Sequence, residues 1–252
     1  MKPGIMLFSG MWRMSGTGGG HHEGGPPPAG GEQPRLTLEP GGELSLGRLE
    51  AKLGTNGLLE ACDGYNCIRA RLPRGAAARL EPVPPVHVPS QMTNCLYLEF
   101  EEQLVTPGEH AVFWATVPYE LAIYANGVLL GYLSPLRVKY TLVGDVVEGT
   151  VCRYHRSRAS TDPRELQAGM EEALAAIEFR GAPGRVPGVG FHVADIPLYV
   201  KDGRVYYPLV RAEVGASRVS SRVDQRPPVE GARGVQRSRQ RGILPQVFVV
   251  TI

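Results

Sequence analysis

Lysine is nearly absent from this chain of 252 residues. Lys2, Lys52, Lys139 and Lys201 are the only lysines among 27 basic residues, and the rest are arginine. Such a bias has two readings: a GC-rich coding sequence, or selection for bidentate recognition of phosphate and carboxylate. Long apolar runs are also missing. The longest stretches, residues 4–8 and 247–252, fall far short of the roughly 20 residues that a membrane-spanning helix needs. The opening "MKPGIMLFSG" has one lysine and too short an apolar core for a secretory signal, so the chain is read as cytoplasmic with no membrane role. Catalytic signatures are absent as well. No G-x-S-x-G elbow, no phosphate-binding P-loop and no G-x-G-x-x-G after a strand occurs.

Cysteine is scarce, at positions 62, 67, 95 and 152. "CDGYNC" brings two close together, but the other two are not paired in sequence, and a structural zinc site needs a second compact pair. No metal is therefore expected, and no cofactor. A Cys62–Cys67 disulfide is sterically feasible and would suit a hyperthermophile's cytosol. The main expectation is four small buried thiols in strands.

Glycine (32) and proline (22) are plentiful, which disfavours long helices and favours short strands joined by turns. Hydrophobic residues make up 42% of the chain, enough for a core, while the net charge is only +2. Residues 1–34, with "GTGGGHHEGGPPPAGGEQP" at their centre, have little to bury and are read as a disordered leader, in which Met11 and Met14 offer later starts. From 35 to 216 the pattern alternates with turns about every ten residues. Strands are expected at 94–104, 110–117, 120–125 and 128–132, with turns at Pro107–Gly108 and Asn126–Gly127. "LEPVPPVHVPS" is too rich in proline for a central strand. "STDPRELQAGMEEALAAIEFRG" predicts a short helix or turn over 163–171 and a strand from Ala173. The fold class expected is mainly β: an antiparallel β-sandwich, or two packed β subdomains, with at most one short helix. Residues 217–252 read as an arginine-rich arm ending in a short apolar strand.

The tract "KYTLVGDVVEGTVCRYHRSR" (139–158) reads as two strands around an acidic turn, yet carries polar and aromatic residues where a plain sheet has valine. If the strands pair, Lys139, Tyr140, Arg153 and Tyr154 cluster, with Arg156 nearby. Glu99, Glu101, Glu120, Asp145 and Glu148 are available to neutralise them. One reading is a salt-bridged sheet face. The functional reading is a patch for an anion or carbohydrate with aromatic platforms, making Lys139, Tyr140, Arg153, Tyr154 and Arg156 candidate ligand-binding residues. Catalytic residues are not assigned. Cys152 and His155 fall on opposite faces of a strand, and so do neighbouring Glu101 and Glu102.

The tracts "EPVPPVHVPSQMTNCLYLEFEEQLVTPG", "KYTLVGD…GTVCRYHRS" and "DIPLYVKDGRVYYPLV" resemble an archaeal family known as domain of unknown function 432, over roughly 35–230. The resemblance implies archaeal origin and a β-rich fold, and brings no established activity. The function expected is a non-catalytic binding module for a protein or small ligand. The alternative is a nucleic-acid-associated protein using Arg233, Arg237, Arg239 and Arg241 in the arm.

Overall fold

The structure, a computed structural model, describes residues 36–144, 147–235 and 248–251. The expected leader, and Arg237, Arg239 and Arg241 of the arm, lie outside the described residues. In chain order, β1 (Leu36–Leu38) precedes a meander of β2 (Glu43–Leu46), β3 (Leu49–Leu53), β4 (Leu58–Cys62) and β5 (Cys67–Arg71). Then come β6 (Ala78–Val83), β7 (Cys95–Thr106), β8 (Glu109–Pro118), β9 (Glu120–Ala125), β10 (Val128–Leu133), β11 (Tyr140–Val143), β12 (Thr150–Ser157) and β13 (Ala159–Ser160). The last are β14 (Glu172–Gly181), β15 (Gly184–His192), β16 (Tyr199–Lys201), β17 (Arg204–Tyr206), β18 (Leu209–Val214), β19 (Arg218–Asp224), β20 (Arg233–Gly234) and β21 (Phe248–Thr251).

These strands form four sheets. The meander β2-β3-β4-β5 packs on the sheet β1-β6-β9-β10. Gly131 of β10 makes that approach possible, because a Cβ there would lie 2.9 Å from the side chain of Ile68 on β5. The sheet β11-β12-β7-β15 packs on a nine-stranded sheet centred on β14. Across this second interface Phe100 meets Phe179 edge-on at 6.5 Å, Phe191 meets Tyr207 at 6.2 Å, and Ser221 Oγ donates to the Gly190 carbonyl. One continuous apolar core runs through both sandwiches. The expected all-β sandwich is the observed architecture.

Local chemistry explains the turns. Asn126–Gly127 and Asp202–Gly203 both have positive φ at both positions, the requirement of a type I′ hairpin. The stretch 163–171 contains a turn and no helix: Asp162 caps it by accepting the Arg164 N–H, and Glu165 N–H bonds back to the Asp162 carbonyl. Pro163 and Gly169 bracket only the five helix-favouring residues 164–168, too short a run to hold a helix by itself. The strand after it, β14, begins at Glu172. Its residues 173, 175, 177 and 179 face the core. The regular pattern continues past 216, because β19 pairs with β18 over six positions, from Leu209↔Asp224 to Val214↔Val219.

The cysteines depart from expectation. All four are paired, as Cys62–Cys67 across the β4–β5 hairpin and Cys95–Cys152 between β7 and β12. The reading as buried thiols is corrected. Cys95 and Cys152 are remote in sequence, but β12 pairs in parallel with β7 and brings their Cα atoms to 4.6 Å. The two bridges close loops of very different length, with separations of 57 and 5 residues. Loop-closure entropy then predicts about 4 kcal/mol from Cys95–Cys152 and about 2 kcal/mol from Cys62–Cys67. Equilibrium unfolding in guanidinium is expected to rank the double variants Cys95→Ala/Cys152→Ala and Cys62→Ala/Cys67→Ala in that order; the reverse ranking would contradict it.

Candidate functional site

The expected cluster on β11 and β12 separates into two groups. The strands do pair, with Tyr140 opposite Arg153 and Thr141 opposite Cys152. Alternation then sends Tyr140 and Arg153 to one side, and Lys139, Tyr154 and Arg156 to the other. The five candidates therefore form no single patch.

Arg153 is 3% exposed and faces Glu120, which is 0% exposed. Its Nη1 donates to Glu120 Oε1 and, at 2.9 Å, to the Pro85 carbonyl, while Nη2 donates to Ser134 Oγ at 2.9 Å. Glu120 also accepts the backbone N–H groups of His87 (2.8 Å) and Val88 (3.0 Å). The His87 ring reaches Glu120 Oε2 at 3.1 Å and stacks on Tyr132 at 3.7 Å. Ser134 N–H in turn donates to Asp63, a wholly buried carboxylate that also caps the β4–β5 turn at Tyr65 and Asn66. The proline-rich segment 84–89, with its cis Val88–Pro89 peptide, thus supplies carbonyls and N–H groups to a buried ion pair. Arg153 is a structural group here, since its guanidinium is buried and held by Glu120, the Pro85 carbonyl and Ser134.

On the other side of the same sheet, Lys139 Nζ stands 6.0 Å from the centre of the Tyr154 ring, and the Tyr154 hydroxyl donates to Glu99. That hydrogen bond, and secondarily burial, raises the Tyr154 pKa. Beneath them the Cys95–Cys152 bridge packs with Val143 and Tyr97. The Arg153–Glu120 ion pair lies on the opposite side of this sheet.

A larger charged face lies on the nine-stranded sheet, turned away from the core. β14 pairs on one side with β8 along its whole length, and on the other with β17 and then β18. Register places His110, Val112 and Trp114 beside Arg180, Glu178 and Ala176. It also places Glu178 beside Arg211, Arg211 beside Arg222, Leu209 beside Asp224, and Leu174 beside Tyr206. Trp114 and Tyr206 meet edge-on at 6.3 Å across β14, above Leu174 and Ala176. Glu178 accepts from Arg180 Nε (3.0 Å) and Arg211 Nε (3.1 Å), with His110 Nε2 at 3.0 Å. Asp224 links Arg211 to Arg226. Arg204 and Lys201 on β17 and β16, and Arg218 on β19, share this face by alternation. Arg204, Arg218 and Arg222 have no carboxylate partner among the described residues. The face thus carries Arg180, Lys201, Arg204, Arg211, Arg218 and Arg222 against Glu178, Glu213 and Asp224. β20, with exposed Arg233, is one edge of the sheet.

The sequence hid this face. Its arginines come from four strands whose register is a tertiary fact, and Trp114 and Tyr206 sit in apolar tracts that read as core. The signal available was alternation in "RVSSRVD", where Arg218, Ser220, Arg222 and Asp224 fall on one side.

A third feature is a groove of about 680 Å³ between the end of β7, β8 and β13. Opposite Pro187, β7 bulges between its partners of Val186 and Gly188, so that residues 100–103 leave the ladder with β15. Both Glu101 and Glu102 line this groove.

The profile of the family described as "Protein of unknown function (DUF432)" matches residues 35–251. The chain belongs to this family. The match takes in every described strand, and the family description gives no activity. No curated protein and no solved structure matches the chain. Among the described residues no helix is long and apolar enough to cross a membrane, and no group of three or more metal-ligating side chains occurs.

Two tests follow from these charges. Arg153→Ala leaves Glu120 buried without its cation, and a loss of about 3–5 kcal/mol is expected in urea unfolding. On the nine-stranded sheet, burial alone would raise the Glu178 pKa, but Arg180, His110 and Arg211 outweigh it and hold the pKa below the ordinary carboxylate value. Asp224 is depressed chiefly by its hydrogen bond from Arg226. Depressed folded pKa values mean stability that is complete above the ordinary carboxylate range and lost as pH falls through the folded values. The melting temperature should therefore fall below about pH 4, and the fall should be shallower in Glu178→Gln/Asp224→Asn. An unchanged acid slope in that variant would contradict this.

Proposed function

We propose that this domain is a non-catalytic binding module, and that its ligand is a phosphate-bearing single strand taken on the outer face of the nine-stranded sheet. The observation that carries the reading is the pairing of an aromatic platform, Trp114 and Tyr206, with arginines on the same open sheet face. Nucleobases stack on aromatic rings whatever their sequence, and guanidinium groups beside the rings meet the phosphates. Arg204, Arg218 and Arg222 suit this because no carboxylate competes for them among the described residues. Ion-paired Arg180 and Arg211 hold the face in shape. A thiol nucleophile is not available, since the four cysteines are bonded in pairs.

The reading moves the ligand away from Lys139, Tyr140, Arg153, Tyr154 and Arg156, which divide between a buried ion pair and a small tyrosine–lysine contact. It takes up nucleic acid, the alternative ligand class, and shifts the weight from the arm to the sheet. Arg233 stands at the β20 edge of the sheet, and Arg237, Arg239 and Arg241 lie outside the described residues. A cytoplasmic place for a protein with two disulfides fits an archaeon from a hot environment, where intracellular disulfides are common.

Trp12 and Trp114 are the two tryptophans, so Trp12→Phe leaves Trp114 as sole reporter. Titrating this variant with single-stranded RNA or DNA at about 50 mM salt is expected to quench Trp114 with a Kd in the low micromolar range or tighter, given that generic basic binding reaches roughly 1–100 µM. Arg204→Ala/Arg218→Ala/Arg222→Ala should flatten the plot of log affinity against log salt by about two units, since each lost single-strand contact removes about 0.7. Binding with no quench, or a slope unchanged by the triple variant, would refute the assignment.

A further inference from the structure

We infer that the groove between β7 and β8 is a docking site for an extended, cationic segment of a partner protein, which adds to the free edge of β8. This goes beyond the nucleic-acid reading and uses a surface of opposite charge.

The strand topology leaves the edge open. β12 runs parallel to β7 as far as Ser157↔Phe100, then leaves it and continues as β13 beside β8. β13 is two residues long, with Ala159 opposite Ala115 and Ser160 opposite Trp114. A longer strand would pass Phe113, Val112 and His110 next. Instead the chain turns away at Asp162 and Pro163. Thr116 N–H points toward this side, because it donates to the Arg158 carbonyl. Backbone alternation then points the N–H and C=O groups of Val112 and His110 the same way. Among the described residues no strand pairs with them there, whereas their opposite edge is taken by β14. Unpaired edge groups next to a groove are the template for strand addition.

The groove selects the charge of the occupant. Its floor is apolar, with Leu104, Phe113 and Leu166, and its rim carries Glu101, Glu102 and Glu165. Arg158, the one cation on the rim among the described residues, is bound to Glu172 and does not offset these carboxylates. A strand alternates its side chains, so a segment with cations at every second position can turn all of them to the groove side, where the carboxylates stand, and its apolar residues to the Val112 side of β8. An anionic strand, or a polyanion, is repelled. That excludes for this groove the ligand proposed for the sheet face.

The test uses the whole protein and a labelled eight-residue peptide alternating valine and arginine. Saturable binding by fluorescence anisotropy is expected, with hydrogen exchange slowed at the amides of His110 and Val112. A peptide N-methylated at alternate residues, and a peptide with glutamate for arginine, should each bind at least about tenfold more weakly. The variant Glu101→Lys/Glu102→Lys should lose the peptide while keeping the oligonucleotide quench of Trp114, so the two sites fail or succeed independently. No binding at about 1 mM peptide, binding indifferent to N-methylation, or protection elsewhere on the protein would overturn the inference. Self-association that disappears in Glu101→Lys/Glu102→Lys would also overturn it, by making a second copy the occupant.

Discussion

The ion pair between Arg153 and Glu120 is the contact on which the arrangement of the sheets depends. Glu120 opens β9 two residues after β8 ends, where the chain leaves the nine-stranded sheet for the β1-β6-β9-β10 sheet. Arg153 comes from the third sheet, and through Ser134 and Asp63 the network reaches the fourth. Tyr207, wholly buried on the nine-stranded sheet, donates to the Pro118 carbonyl at the same crossing. Two charges taken out of water are costly unless each lone pair and proton is satisfied. Here the carboxylate accepts two backbone N–H groups in addition to the guanidinium, and the guanidinium finds a carbonyl and a hydroxyl. Those bonds are directional, so they fix how the sheets meet in a way that apolar packing alone does not.

That internal use of charge leaves the surface to be divided. The nine-stranded sheet presents arginines around two aromatic rings, and the β7 bulge presents glutamates around an apolar floor. The net charge of +2 hides both, because it sums a basic face with an acidic groove. The meander shows what a purely structural charged face looks like. Glu43, Lys52, Glu60 and Arg69 stand in register across its four strands with alternating sign, and Lys52–Glu43 and Arg69–Glu60 pair directly. No surplus of one sign accompanies them among the described residues, in contrast to the face bearing Arg204, Arg218 and Arg222.

Irregularity in the ladders is what creates both candidate surfaces. Pro208 falls between β17 and β18, which would otherwise run as one strand beside β14, and the break lets β16 and β19 flank different halves. Pro187 and the extra residues of β7 open the groove. Proline has no N–H to give to a ladder, so each break follows from local chemistry.

The chain's periodicity by itself determined the strands and turns. Alternation and type I′ dipeptides marked β7 to β10 nearly to the residue, and the glycine and proline content ruled out a helical protein. The pairing of β11 with β12 was legible too, because a short turn leaves adjacent strands few other partners. What only the tertiary structure decided was every relation between remote strands. The parallel pairing of β12 with β7 joined Cys95 to Cys152 and turned Arg153 from a surface candidate into a buried ion-pair partner. The register of β14 with β8, β17 and β18 gathered Trp114, Tyr206 and the arginines. A strand's side chains repeat every two residues whichever neighbour it takes, so sequence shows which residues share a face but not which faces meet.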